Sequence, residues 1–215
     1  MQYYLLILQN ITFANAAYAS EVLRKVDCPI LLWTLREPVI DGTRLRSNSL
    51  TGAYSAANAI CAFRGAGRFE HVFGAPLEEN VKEEISTTIE AARVRIALKN
   101  LKMSAIGHTP QGFGFGRALD AELMSKFGVT LEAIEAREQI GAISSRCWPD
   151  FFTEFGTPVC MVLSLLNALN IPSSCEADVY GALSMYIGTS LTGGATFFGD
   201  PVSMDEKESS ITFWH

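Results

Sequence analysis

Glu154, Asp178 and His215 are the residues of this 215-residue chain whose types and spacing best suit a hard divalent cation. Each carboxylate stands near the end of an apolar run or in the turn after it, and the histidine follows the alternating stretch Ser210–Trp214. Oxygen-rich donor sets select ions such as Mg²⁺ and Mn²⁺, and an imidazole among the donors tilts the choice toward Mn²⁺. Two carboxylates brought close together repel unless a cation or a shared proton lies between them. Plainer readings stand beside this one: Glu154 as a solvated loop glutamate, and Asp178 as the cap of a helix starting at Val179 or Tyr180. Glu176, two residues before Asp178, would share a face with it on an extended segment, or be ion-paired. Asp200, just before Pro201, reads first as a turn aspartate and second as a carboxylate that orients a ligand.

Arg146 and Trp148, in Arg146-Cys147-Trp148-Pro149, suit a polyhydroxylated ligand. A guanidinium fixes hydroxyls and an indole face packs on C–H groups, although tryptophan serves equally well as core. His108 lies in the glycine-rich loop Gly107–Gly116, where a surface role is the default, and His71 reads as structural within a short strand. That loop lacks the Lys-Ser/Thr of a phosphate-binding loop and the spacing of a dinucleotide fingerprint. Arg36, Arg44 and Arg46 form too small a basic cluster for a nucleic-acid site. The five cysteines, Cys28, Cys61, Cys147, Cys160 and Cys175, include no Cys-x-x-Cys pair. The usual signature of zinc or thioredoxin-type chemistry is therefore missing, and buried reduced thiols are expected.

The elements that must position these residues alternate. Tyr3–Gln9 and Pro29–Trp33 are short apolar runs of strand length, with a helical pattern over Asn15–Lys25 between them; this is a βαβ unit of a parallel sheet. Ser49–Phe63 reads as a small-residue helix, Glu70–Phe73 as a strand and Leu77–Asn100 as an amphipathic helix, acidic at its start and basic at its end. Strands are expected at Met103–Ile106 and Val129–Ile134. From Gly141 the alternation restarts: strand Ala142–Ser145, helix Pro158–Leu169, strand end Ser173–Glu176, helix Tyr180–Leu191, strand Ala195–Phe198 and final strand Ser210–Trp214. The expectation is a three-layer α/β protein, with a flavodoxin-like parallel-sheet domain over residues 1–140 and a smaller α/β unit over 141–215 carrying the candidate carboxylates.

Composition narrows the function classes. The chain is 48% hydrophobic and 19% charged with a net charge of −6, which fits a globular protein and argues against a nucleic-acid partner. No apolar run approaches membrane-spanning length, and the opening Tyr3–Leu8 run lacks a basic leader. A cytoplasmic location is expected.

Several segments, in order, resemble the L-fucose/L-arabinose isomerase family of sugar ketol isomerases. They are Leu8–Asn15, Leu31–Trp33 with Arg36-Glu37-Pro38, Arg44–Gly52, Ile106–Phe113, Arg146–Pro149 and Cys175–Leu183. The resemblance implies an aldose–ketose isomerase acting through an ene-diol on a free sugar such as L-fucose, D-arabinose or L-arabinose. It further implies Mn²⁺ or another divalent cation as cofactor, and a homo-oligomer. Asp178 and Glu154 match the family's metal-binding aspartate and glutamate and would double as the acid–base pair, with His215 as a possible third ligand. Arg146 and Trp148 would bind substrate. The stretch around Ile140-Gly141 is abbreviated against the family pattern, and family members continue into a further domain that supplies a metal-binding histidine. The alternative is a non-catalytic fragment or sugar-binding α/β module with an incomplete site. A weaker alternative is an assembly protein that uses these surfaces for subunit contacts.

Overall fold

A computed structural model describes residues 3–39, 46–107, 109, 111–132 and 140–214. The chain is α/β with parallel sheets and divides into two compact units, Met1–Arg93 and Val94–His215.

The first unit is built as the apolar runs dictate. Strands β1 (Leu6–Asn10), β2 (Ile30–Thr34) and β3 (Glu70–Phe73) form a parallel sheet in sequential order. Helix α1 (Ala16–Leu23) and helix α2 (Ser49–Arg64) make the crossovers. Central β2 is nearly continuous in apolar residues because both its faces are covered, and Leu31 and Leu32 are fully buried. Burying each such side chain stabilises the fold by about 1.5–3 kcal/mol. Asn15 caps α1, its side-chain oxygen accepting from the Ala17 N–H at 2.9 Å. Small residues let α2 pack closely: a Cβ on Gly52 would come within 2.5 Å of the Thr12 carbonyl oxygen. His71 is structural, as its strand position suggested, with Nε2 3.0 Å from the Thr34 hydroxyl.

Helix α3 (Glu79–Lys99) contains the division between the units. Val81 packs with Leu31 and Val72 in the first unit, while Val94 and Leu98 join the core of the second. The compact partition thus falls at Arg93/Val94 rather than near residue 140.

In the second unit, strands β4 (Lys102–Ile106), β5 (Thr130–Glu132), β6 (Ala142–Ser145) and β7 (Ser173–Ser174) form one parallel sheet ordered β5-β4-β6-β7. Renumbered from β4 this is 2-1-3-4, the order in which a doubly wound sheet reverses direction between its first and third strands. The flavodoxin-like order expected over residues 1–140 therefore lies here, and the alternation restarting at Gly141 extends the sheet begun by β4. Helix α4 (Asp120–Phe127) packs on β5, α6 (Cys160–Ala168) on β7, and α7 (Val179–Thr192) on β6 and β7. Met103, Leu123, Val129, Ala142 and Ala182 are fully buried between them. The short helix α5 (Asp150–Phe155) follows β6.

Two local expectations are corrected. Ala195–Phe198 is not a strand; Phe197 is exposed, and the Phe198 ring lies against Gly181. The final strand β9 (Ser210–Trp214) pairs antiparallel with β8 (Asp200–Asp205), so Asp200 opens a strand rather than a turn. Every residue of this hairpin is exposed, which removed the burial pattern that would have marked β8.

Candidate functional site

Strand order reverses between β4 and β6, and open parallel sheets bind ligands outside the carboxyl ends of the strands at such a point. Register holds these ends together: Ile106 pairs with Ser145, and Ser144 with Ser174. Beyond the strands, the Arg146 N–H donates to the Ile106 carbonyl at 2.8 Å and the Ala177 N–H to the Ser145 carbonyl at 3.0 Å. The turns after β4, β6 and β7 therefore emerge side by side, bringing Gly107, Arg146 and the Cys175–Asp178 turn to one edge. Gly107 has φ +80°, and a Cβ there would meet the Arg146 Cβ at 2.9 Å. Further along the same loop, Gly116 packs on Asp178, where an added Cβ would lie 3.2 Å from both Cα and Cγ.

Asp178 is the N-cap of α7; its Oδ1 accepts from the Gly181 N–H at 2.8 Å, and its carbonyl accepts from the Ser174 hydroxyl at 2.6 Å. The capping role considered from sequence is real. It fixes the carboxylate's orientation and occupies one oxygen. Glu154 stands exposed in the last turn of α5, and its carboxylate has no hydrogen bond or ion pair among the described residues. It lies on a helix after β6, not at a strand end. The donor chemistry of these two carboxylates suits a hard divalent ion. His215 lies outside the described residues, as does His108.

Arg146 is half-buried; its Nε lies 3.1 Å from Asp150 Oδ2 and 3.3 Å from the Trp148 carbonyl. The Trp148 indole is 56% exposed and meets Phe152 edge-on at 5.2 Å, leaving surface available to a ligand. Trp148-Pro149 is a cis peptide bond.

Glu176 departs from the extended geometry expected of it. Glu176 and Ala177 both have left-handed φ, +59° and +51°, because the chain must turn from β7 into α7 within four residues. Its partner is a thiol, Cys147 Sγ donating to Oε1 at 3.2 Å, rather than a cation. Burial pushes the Cys147 and Cys175 thiols up, so the two remain neutral. A cavity of about 490 Å³ lies beside α6, lined by residues such as Cys160, Leu163, Cys175 and Phe198. It does not include Arg146, Glu154 or Asp178.

Sequence reasoning missed the role of Glu37 in the first unit. Its carboxylate accepts from the backbone N–H groups of Arg46 at 2.7 Å, Ser47 at 2.9 Å and Asn48 at 2.9 Å, at the mouth of α2. These bonds, that from Ser47 foremost, hold it below the usual carboxylate range. The signal was an acid preceding an uncapped helix: Asn48, at the cap position, makes no side-chain capping bond.

No family model matches the chain. It is 56% identical to a sulfoquinovose isomerase of Clostridium sp. (strain MSTE9) over 263 residues, covering 98% of the chain and 59% of the relative. It is 32% identical to the sulfoquinovose isomerase of Priestia aryabhattai, covering 96% of the chain and 57% of that protein. A third, from Alkalicoccus urumqiensis, is 28% identical over 98% of the chain and 58% of its own length. The matched span of 263 residues exceeds the chain's 215, so the first relative carries residues within it that this chain lacks. The chain is thus similar, over nearly all its length, to sulfoquinovose isomerases, and it spans less than two thirds of theirs.

Proposed function

We propose that this chain is part of a sugar aldose–ketose isomerase whose chemistry takes place at the carboxyl edge of the β5-β4-β6-β7 sheet. The likeness to sulfoquinovose isomerases over 98% of the chain carries this reading. The convergence of Gly107, Gly116, Arg146 and Asp178 on one sheet edge supports that location.

Isomerisation moves a proton from C2 of the open-chain aldose to C1, with a matching proton shift between the two oxygens, through an ene-diol. Asp178 and Glu154 are the acid–base pair in this reading: one removes the carbon-bound proton, and the other manages the hydroxyl proton. The cap bond from Gly181 leaves the second Asp178 oxygen for this work. Arg146, steadied by Asp150, orients substrate hydroxyls, and the exposed Trp148 indole packs on the sugar's C–H face. Glu154 and Asp178, with His215 as third donor, would hold Mn²⁺ or another divalent cation, which supplies electrophilic stabilisation of the developing oxyanion. The names of the relatives favour sulfoquinovose as the aldose, whereas the ordered segments that resemble L-fucose/L-arabinose isomerases favour L-fucose, D-arabinose or L-arabinose. A cytoplasmic homo-oligomer completes the proposal. No helix among the described residues is long and apolar enough to cross a membrane, and the exposed Met204, Phe213 and Trp214 offer apolar contact surface.

The test is incubation of the whole protein with Mn²⁺ and each of the four sugars, with ketose followed by NMR. Ketose from sulfoquinovose, lost on chelation and restored by Mn²⁺, is the expected result. Turnover undiminished in excess chelator would remove the metal from the proposal. Absence of ketose from all four sugars would remove the isomerase assignment.

A further inference from the structure

Three of the five cysteines, far apart in sequence, meet in space. Cys147 follows β6, Cys160 opens α6 and Cys175 follows β7. Their Sγ atoms all lie within 4.8 Å of one another, and those of Cys160 and Cys175 are 3.6 Å apart. We propose that these thiols are a binding site for one soft divalent ion, Zn²⁺ in the first instance, separate from the oxygen-rich site at Asp178.

The geometry is close to what such an ion requires. Tetrahedral Zn²⁺ with bonds of about 2.3 Å sets its sulfurs about 3.8 Å apart, so the three side chains need move only by about an ångström or less. Thiolates select zinc, cadmium and cuprous ions over manganese and magnesium, which separates this site chemically from a carboxylate site. Glu176 Oε1, 3.2 Å from Cys147 Sγ, is placed to be the fourth donor, with water as the substitute. Access exists too, because Cys160 and Cys175 line the cavity beside α6. Cysteine ligates such an ion as the thiolate, so each thiol that binds gives up its proton to solvent and affinity rises with pH. No electron changes hands. The bound ion ties the start of α6 to the turns after β6 and β7, which also carry Arg146 and Asp178, and so stiffens the candidate site from beneath.

Titration of the reduced, chelator-stripped protein with Cd²⁺ and Zn²⁺ tests this without any activity assay. One equivalent of Cd²⁺ is expected to raise a thiolate-to-metal charge-transfer band in the ultraviolet, which Zn²⁺ displaces and Mn²⁺ does not. Cys160→Ser is the decisive variant, because Cys160 is only partly buried and the change is small. It should weaken binding by at least about tenfold, the loss that even changes to outer contacts of a metal site cause. Cys147→Ser and Cys175→Ser should do the same, and Cys28→Ser and Cys61→Ser should leave the band unchanged. A band that survives Cys160→Ser, or no band at all, overturns the proposal. So does a Cys160–Cys175 disulfide in the purified protein combined with no metal uptake after reduction. None of these outcomes depends on whether the protein isomerises a sugar.

Discussion

The turns after β2 and β3 in the first unit and the β6–β7 edge of the second both hold acids beyond the ends of parallel strands, and the fold treats them in opposite ways. In the first, the carboxylates of Glu37 and Glu78 are fully engaged by their own chain. Glu37 accepts three backbone N–H groups, and Glu78 is gripped at both oxygens by Arg36 at 2.7 Å while also accepting from the Ala75 N–H. The Arg36 side-chain bonds, followed by the bond from Ala75, hold Glu78 down to about 2. In the second, Glu154 has no partner among the described residues and Asp178 has one. An acid already saturated by its own chain is scaffold; an acid oriented by one bond, with an oxygen to spare, can bind a ligand or carry a proton. Counting acids in a sequence does not separate these cases. Counting the N–H groups each one accepts does.

The largest effect that distinguishes the two regions is on turnover. Glu154→Gln is expected to lower kcat by roughly a hundredfold or more, the scale of a lost acid–base group, with an unchanged unfolding midpoint. Glu37→Gln should do the reverse, lowering the midpoint while activity per folded molecule holds. Loss of turnover in both variants would erase the distinction. Gly107→Ala comes next: its φ of +80° and the 2.9 Å approach to Arg146 Cβ predict destabilisation of about 1–3 kcal/mol in urea unfolding. A neutral result would mean that the loop after β4 does not press on Arg146.

Acid sensitivity is a smaller effect and belongs to the first unit. Glu37 and Glu78 titrate below the ordinary glutamate value of 4.5 in the folded protein. Their stabilisation is therefore fully present above that value and is lost as pH falls through their folded values, a window that for Glu78 reaches down to about 2. Urea midpoints measured across this window should fall less steeply in Glu78→Gln than in the parent. Equal slopes would mean that the Arg36 pair adds nothing. The smallest effect is expected from Trp148→Ala, a rise in KM of several-fold with little change in kcat, as fits an exposed indole that packs on substrate rather than on core.

Much of this was legible in the sequence. Apolar runs bounded by turn residues located β1, β2, β3, β4 and β6 to within a few residues, and Asp178 ahead of a helical pattern announced a cap. Strand order was not legible, because periodicity identifies a strand without naming its neighbour; β6 therefore read as a new unit although it pairs with β4. Asp200-Pro201 read as a turn because β8 buries none of its residues. The thiol cluster was invisible for a related reason. Metal motifs recognisable in sequence place ligands on one local turn, whereas Cys147, Cys160 and Cys175 are brought together only by the adjacency of β6, β7 and α6.

Asp178→Asn is the most direct measurement of whether the sheet edge in the second unit carries the chemistry. Asparagine caps a helix about as well as aspartate, so α7 and the unfolding midpoint should be preserved while the charge is lost. With Mn²⁺ and saturating sugar, the variant is expected to give no ketose above background and to bind Mn²⁺ more weakly than the parent. An Asp178→Asn protein that forms ketose at the parental rate would contradict the account, since Asp178 is the carboxylate it assigns to proton transfer at the mouth of α7.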